Sequence, residues 1–112
     1  MVFGNVAIPE FLNNYPRLRA TQEYMIEVTV TIKNRAGLHT RPAASLVKTA
    51  AKFAAEFTIC KEGMEINGKS IIGVMTLAAE QGSELLLRFD GEDEEEAKNA
   101  VVSLFERGFD EQ

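Results

Sequence analysis

The chain has 112 residues, of which 46% are hydrophobic and 26% charged, with a formal net charge of −5 and a single cysteine. That suffices for one domain around one modest core. The acidic balance argues against nucleic acid as the main partner. The lone Cys60 excludes an internal disulfide and a cysteine-rich metal site, and no apolar run approaches the roughly 18–20 residues that span a bilayer.

Residues 1–24 form an extension of unknown role. Pro9, Pro16 and the Asn13-Asn14 pair interrupt any long element there. Phe3, Val6, Ile8, Phe11, Leu12 and Tyr15 are apolar enough to pack somewhere. Three readings compete: a dispensable leader, a short helix docked on the domain, or a start-codon artefact with Met25 as the real beginning. The leader is preferred, so a chain beginning at Met25 is expected to fold. The N-terminus lacks the basic start and continuous apolar core of a signal peptide, which makes the cytoplasm the default location.

From Met25 to Lys33 the chain alternates. Ile26, Val28, Val30 and Ile32 face one way; Glu27, Thr29, Thr31 and Lys33 face the other. This period of two predicts a strand with one dry face, as in an antiparallel sheet covered on one side. Asn34 to Leu38 then turn into a helix expected over about Thr40 to Ala54. Its stripe is Ala43, Leu46, Val47, Ala50, Ala51 and Ala54. Arg41, Ser45, Lys48, Thr49 and Lys52 fall outside it, either as a solvated face or as a basic rim for acidic partners.

Phe57 and Ile59 alternate with Thr58 and Cys60, so Cys60 reads as a structural thiol. Glu62-Gly63 makes a tight turn, and Met64 and Ile66 carry the return strand. Ser70 is placed as the N-cap of a short helix through about Ala79. Ile71, Ile72, Val74, Met75 and Leu77 are apolar almost all round that helix. A helix so short cannot hide all of them, and the leftovers would make a docking patch. Leu85, Leu87 and Phe89 mark the fourth strand. Asp93 followed by Glu96 reads as a variant capping box, and Glu92 to Glu96 as a solvated acidic cap that complements the helix dipole. The last helix places Ala97, Ala100, Val101, Leu104 and Phe105 on one face, with Gly108 as its stop. The order βαββαβα predicts an α+β open-faced two-layer sandwich.

The chemistry concentrates at Gly37-Leu38-His39-Thr40-Arg41-Pro42-Ala43. His39 is the chain's one histidine, and Pro42 suits the first turn of a helix, where a missing N–H costs little. His39 therefore sits at or near the N-cap. Unpaired amides of Thr40 and Arg41 and the positive end of the dipole attract an anion, phosphate above all. The Arg41 guanidinium can pair with phosphate oxygens. From spacing alone, a capping or surface histidine is the commoner case.

Two segments change that balance. Asn34-Arg35-Ala36-Gly37-Leu38-His39-Thr40-Arg41-Pro42-Ala43-Ala44 resembles the active-site segment of the HPr family, the histidine-containing phosphocarriers of the bacterial phosphotransferase system. Asn67-Gly68-Lys69-Ser70-Ile71-Ile72-Gly73-Val74-Met75-Thr76-Leu77 resembles that family's regulatory serine site, at the family's separation from the histidine. The resemblance covers about residues 25–109 and leaves 110–112 as a tail.

The resemblance implies a four-stranded antiparallel sheet with helices on one face. It also implies a carrier that takes a phosphoryl group from phospho-enzyme I onto Nδ1 of His39, with Arg41 assisting, and hands it to enzyme II A proteins. Such a chain is a shuttle more than a stand-alone enzyme, with no cofactor and no metal. The resemblance further implies docking through Ile71, Ile72 and Met75, with Ala44, Lys48 and Lys52 on the rim. Ser70 is either a plain cap or also the target of an HPr kinase/phosphorylase. A single copy is expected to act alone, without membrane insertion. Rival readings are a nitrogen-linked paralogue of the same family, a small-ligand-binding regulatory domain, and a hydrolase. The hydrolase lacks a nucleophile–base pair, an HExxH motif and a P-loop. A catabolite-control paralogue without the histidine is excluded because His39 is present.

Overall fold

Alternation of β-branched and polar residues builds the first long strand, as expected. The computed structural model describes residues 25–111 and, before them, the backbone of residues 2–3 and 6–7. Val2–Phe3 (β1) and Val6–Ala7 (β2) pair antiparallel. The expectations for the remainder of residues 1–24 lie outside the described residues.

Then come Ile26–Thr31 (β3), Thr40–Ala50 (α1), Glu56–Lys61 (β4), Met64–Asn67 (β5), Ile71–Thr76 (α2), Glu84–Asp90 (β6) and Glu94–Glu106 (α3). β3, β6, β4 and β5 lie side by side in that order, and every pair is antiparallel. The order places β6, last in the chain, at the centre of the sheet, where Leu85, Leu87 and Phe89 are fully buried. One row of paired residues crosses all four strands: Val28, Leu87, Ile59 and Ile66. It is buried in the middle and half-buried at the edges. Phe57 and Phe89 stack in the adjoining row, with centroids 4.8 Å apart. The next row turns the other way and is polar: Glu27, Arg88, Thr58 and Asn67. Arg88 pairs there with Glu27 at 3.0 Å and with Glu65 at 3.7 Å. One face is therefore dry and the other wet, which is the open-faced α+β sandwich. α1 packs against both α2 and α3, and α3 lies over β3 and β6.

Three expectations need correction. α1 stops at Ala50, not near Ala54, and Ala51 and Ala54 are exposed instead of extending the stripe. The backbone tightens there: the Lys52 amide bonds Thr49 O at 3.2 Å and the Phe53 amide bonds Ala50 O at 3.1 Å. The amides of Ala54 and Ala55 are then taken by the Asp93 carboxylate, both at 2.8 Å. That explains the second correction, because Asp93 turns away from its own helix and makes no cap bond there. Glu94, not Glu96, reaches back, accepting from the Gly91 amide at 3.0 Å and the Met25 amide at 2.9 Å. Glu94 is buried, so the acidic run is not uniformly a solvated face. Third, α2 ends at Thr76, with Leu77 as its cap and Ala78 at a positive φ.

Gly108 does end α3, with φ +61. Phe109 and Asp110 follow at φ +57 and +59. Left-handed backbone costs a non-glycine residue about 1–2 kcal/mol. Burial of the Phe109 ring, set edge-on to Phe105 at 5.0 Å, offsets it. Cys60 is half-buried on the polar face, and burial pushes its thiol pKa up, away from a reactive thiolate.

Candidate functional site

His39 occupies the N-cap of α1 with extended backbone, φ −81 and ψ −169. Its carbonyl accepts the first helical bond, from the Ala43 amide at 2.9 Å. Thr40 and Arg41, the first two helical residues, have no carbonyl one turn back to bond within the helix. Pro42 brings no N–H at all. The imidazole does not cap these amides. They open outward at the positive end of an eleven-residue helix. Arg41 is exposed beside them.

The loop before His39 is held from the far side of the sequence. The Leu38 amide bonds Ala79 O at 2.9 Å. Gly37 lies at φ +73, and a Cβ there would collide with that same carbonyl oxygen. Glycine is required on both counts, by backbone angle and by close approach. Further along, Ile32 exchanges bonds with the 82–83 turn, and the Gln81 side chain donates to Lys33 O at 3.0 Å. The segment that follows α2 thus sets the loop that carries His39.

Ser70 is the N-cap of α2, and its hydroxyl accepts from the Gly73 amide at 3.1 Å. Val74 and Leu77 turn inward, whereas Ile71, Ile72 and Met75 remain 38%, 76% and 44% exposed. Ala44 and Lys48 are exposed on α1, the helix packed against α2. Lys52 is also exposed, but it lies beyond the end of α1. The described residues include no group of histidine, cysteine, aspartate or glutamate able to hold a metal ion. None of their helices is long and apolar enough to cross a membrane.

One residue at the site escapes the sequence reading. Glu111, in the tail, brings its Oε1 to 3.2 Å from His39 Nε2. The same oxygen accepts from Asn34 Nδ2 at 3.2 Å, and that nitrogen also donates to Gly37 O at 2.8 Å. Burial works to raise the Glu111 pKa, but the hydrogen bonds of His39 and Asn34 and the charges of His39 and Arg41 outweigh it and hold the carboxyl low. Seventy-two positions separate Glu111 from His39, and no periodic pattern links them. The one available signal is Phe109, an apolar residue after a helix stop, which has to be buried and so turns the tail inward.

A family model described as "PTS HPr component phosphorylation site" matches residues 26–107. The phosphocarrier protein HPr of Xylella fastidiosa is 48% identical over 87 residues, covering 78% of this chain and 98% of that protein. That of Treponema pallidum is 43% identical and covers 79% and 100%. A crystal structure of HPr from Thermoanaerobacter tengcongensis superposes with a TM-score of 0.75 at 47% identity, covering 78% of this chain and 98% of that one.

Proposed function

We propose, for a chain that belongs to the PTS HPr family, that His39 is the residue on which it carries phosphate. The chain is a phosphocarrier of the phosphotransferase system. It accepts a phosphoryl group from phospho-enzyme I and passes it to enzyme II A proteins. The observation that carries the assignment to His39 is a half-exposed imidazole at a helix start whose first amides are unspent.

Neutral imidazole is a nucleophile, and it can hold a phosphoryl group as a labile phosphoramidate. The Thr40 and Arg41 amides and the Arg41 guanidinium meet the phosphate oxygens. The dipole adds about 0.3–1 kcal/mol, rising to about 2 in partly buried sites. That is enough to seat the group without trapping it. In-line geometry and most of the charge neutralisation come from the partner proteins. Ile71, Ile72 and Met75 supply the apolar docking patch, and Ala44, Lys48 and Lys52 its rim. This patch also fits an HPr kinase/phosphorylase acting on Ser70. A phosphate there adds about −1.5 to −2 charges beside the patch and weakens acidic partners. The carrier works as a single copy in the cytoplasm.

The test uses phosphoenolpyruvate, magnesium and enzyme I. One acid-labile, base-stable phosphate is expected by mass spectrometry, and His39→Ala abolishes it while leaving the fold intact. Label that persists in this variant overturns the assignment.

A further inference from the structure

One long edge of the sheet is open. β3 pairs with β6 on one side only. The Ile32 amide bonds Ser83 O at 3.0 Å and its carbonyl accepts from the Gly82 amide at 2.8 Å, so Ile32 aims its backbone at the β6 side. Backbone groups alternate in direction along an antiparallel strand. Val30 and Val28 therefore share the direction of Ile32, whereas Glu27, Thr29 and Thr31 turn their N–H and C=O groups to the free edge. Both ends of that edge are closed. The Met25 amide bonds Glu94 Oε2 at 2.9 Å, and Lys33 O accepts from Gln81 Nε2 at 3.0 Å. Between them, no hydrogen bond from the described residues reaches the outward backbone of Glu27, Thr29 or Thr31.

A groove of about 280 Å³ runs beside this edge, between β3 and α3. Val28, Val30, Val102 and Phe105 supply its apolar lining. Lys33 and Glu106 also line it, and Lys33 Nζ donates to Glu106 O at 3.5 Å. Val28 and Val102 pack against the core yet stay half-buried. Unpaired strand backbone next to half-covered apolar side chains is a template for one more strand.

We infer that residues 11–19 of this chain occupy that place, as an outermost strand antiparallel to β3. The N-terminal extension joins the domain at Met25, at the start of the open edge, and Met25 lies at φ +137, off the extended path of β3. β3 is six residues long, about 20 Å at roughly 3.3 Å per residue. Residues 11–19 can run its full length and leave residues 20–24 for the turn. Alternate side chains of a strand share a face. Leu12, Pro16 and Leu18 then share the face that meets the groove. Arg17 and Arg19 share the other and come to the wet face, where Glu27 is exposed near the start of β3. An outermost strand tolerates Pro16, since half of its donors face away from the sheet. The matched family segment begins only at residue 26, so this cover is a property of the extension. It closes an edge that would otherwise invite another chain, and so keeps the carrier as a single copy.

NMR of the full chain tests the inference. Nuclear Overhauser contacts are expected between residues 11–19 and residues 27–31. Amide exchange at Thr29 and Thr31 is expected to be slowed at least about tenfold, equally at low and high protein concentration. In the full-length double variant Leu12→Asp, Leu18→Asp, those two amides should speed up about tenfold. Val28 and Val30, bonded to β6, should keep their rates and show that the domain is folded. Unslowed exchange at Thr29 and Thr31 in the parent chain, or the absence of cross-strand contacts, overturns the inference without any variant. Protection that grows with concentration gives the edge to a second copy. Protection that survives both aspartates gives it to something other than this segment. Either result also overturns the inference.

Discussion

The starts of α1 and α2, two helices that pack against each other, are built in opposite ways. Ser70 closes α2 with its own hydroxyl on the Gly73 amide. His39 stands at the same position of α1 and caps nothing; its ring turns to Glu111 instead. The first arrangement satisfies an orphan donor and stabilises a six-residue helix that could not stand alone. The second leaves donors open at the end of a longer helix. A cap spends amides on stability, and an uncapped start keeps them for a ligand. The difference fits the proposal that His39 seats a passing phosphate, whereas Ser70 closes its own helix.

Gly37 is where the contrast is easiest to break, because it lets the His39 loop rest on the segment leaving α2. Gly37→Ala adds a Cβ against Ala79 O at a left-handed angle. We expect a loss of about 2–3 kcal/mol in denaturant unfolding, together with slower labelling. Stability within about 0.5 kcal/mol of the parent, roughly the error of the denaturant extrapolation, would refute that account of the loop.

Ser70 sharpens the comparison. Ser70→Ala should cost about 1 kcal/mol through the lost cap and leave transfer through His39 in place. Ser70→Asp keeps a capping oxygen and adds a charge, so it should hold stability yet slow charging by enzyme I about tenfold. Equal kinetics for the two variants would remove the proposed regulatory role and leave Ser70 as a cap alone.

The third helix start gives the smallest effect. Asp93 is the N-cap residue of α3, but its carboxylate bonds the Ala54 and Ala55 amides across the fold. The Ala54 amide lowers its pKa most; burial opposes, and the Ala55 amide and Lys69 assist. A carboxyl held low in the folded state contributes stability above its unfolded pKa of about 4, and the contribution is lost as pH falls through the lower folded value. Asp93→Asn should therefore lower the thermal midpoint by a few degrees near neutrality, with the gap closing in acid. A gap that persists unchanged at low pH would mean the charge is not involved.

Much of the site was legible from local pattern. The 37–43 segment announced a helix start with His39 at its N-cap, and Ser70 announced a cap, because each depends on a few neighbouring residues. Strand faces were equally readable, since period two assigns Val28 and Val30 to one side whatever they meet there. The end of α1 was not readable, because alanines continue the helical pattern past Ala50 while a carboxylate from residue 93 captures the next amides. Neither was the buried Glu94, which looks like its exposed neighbours until the Met25 and Gly91 amides come to it.

The sequence by itself determined that the one histidine stands at a helix start and what kind of backbone would present it. Tertiary structure alone decided what stands behind that residue. Glu111 reaches His39 because a buried phenylalanine turns the tail and Asn34 receives it. Periodicity and capping act over a turn or two of chain, whereas a contact across 72 positions exists only once the core has brought both ends together.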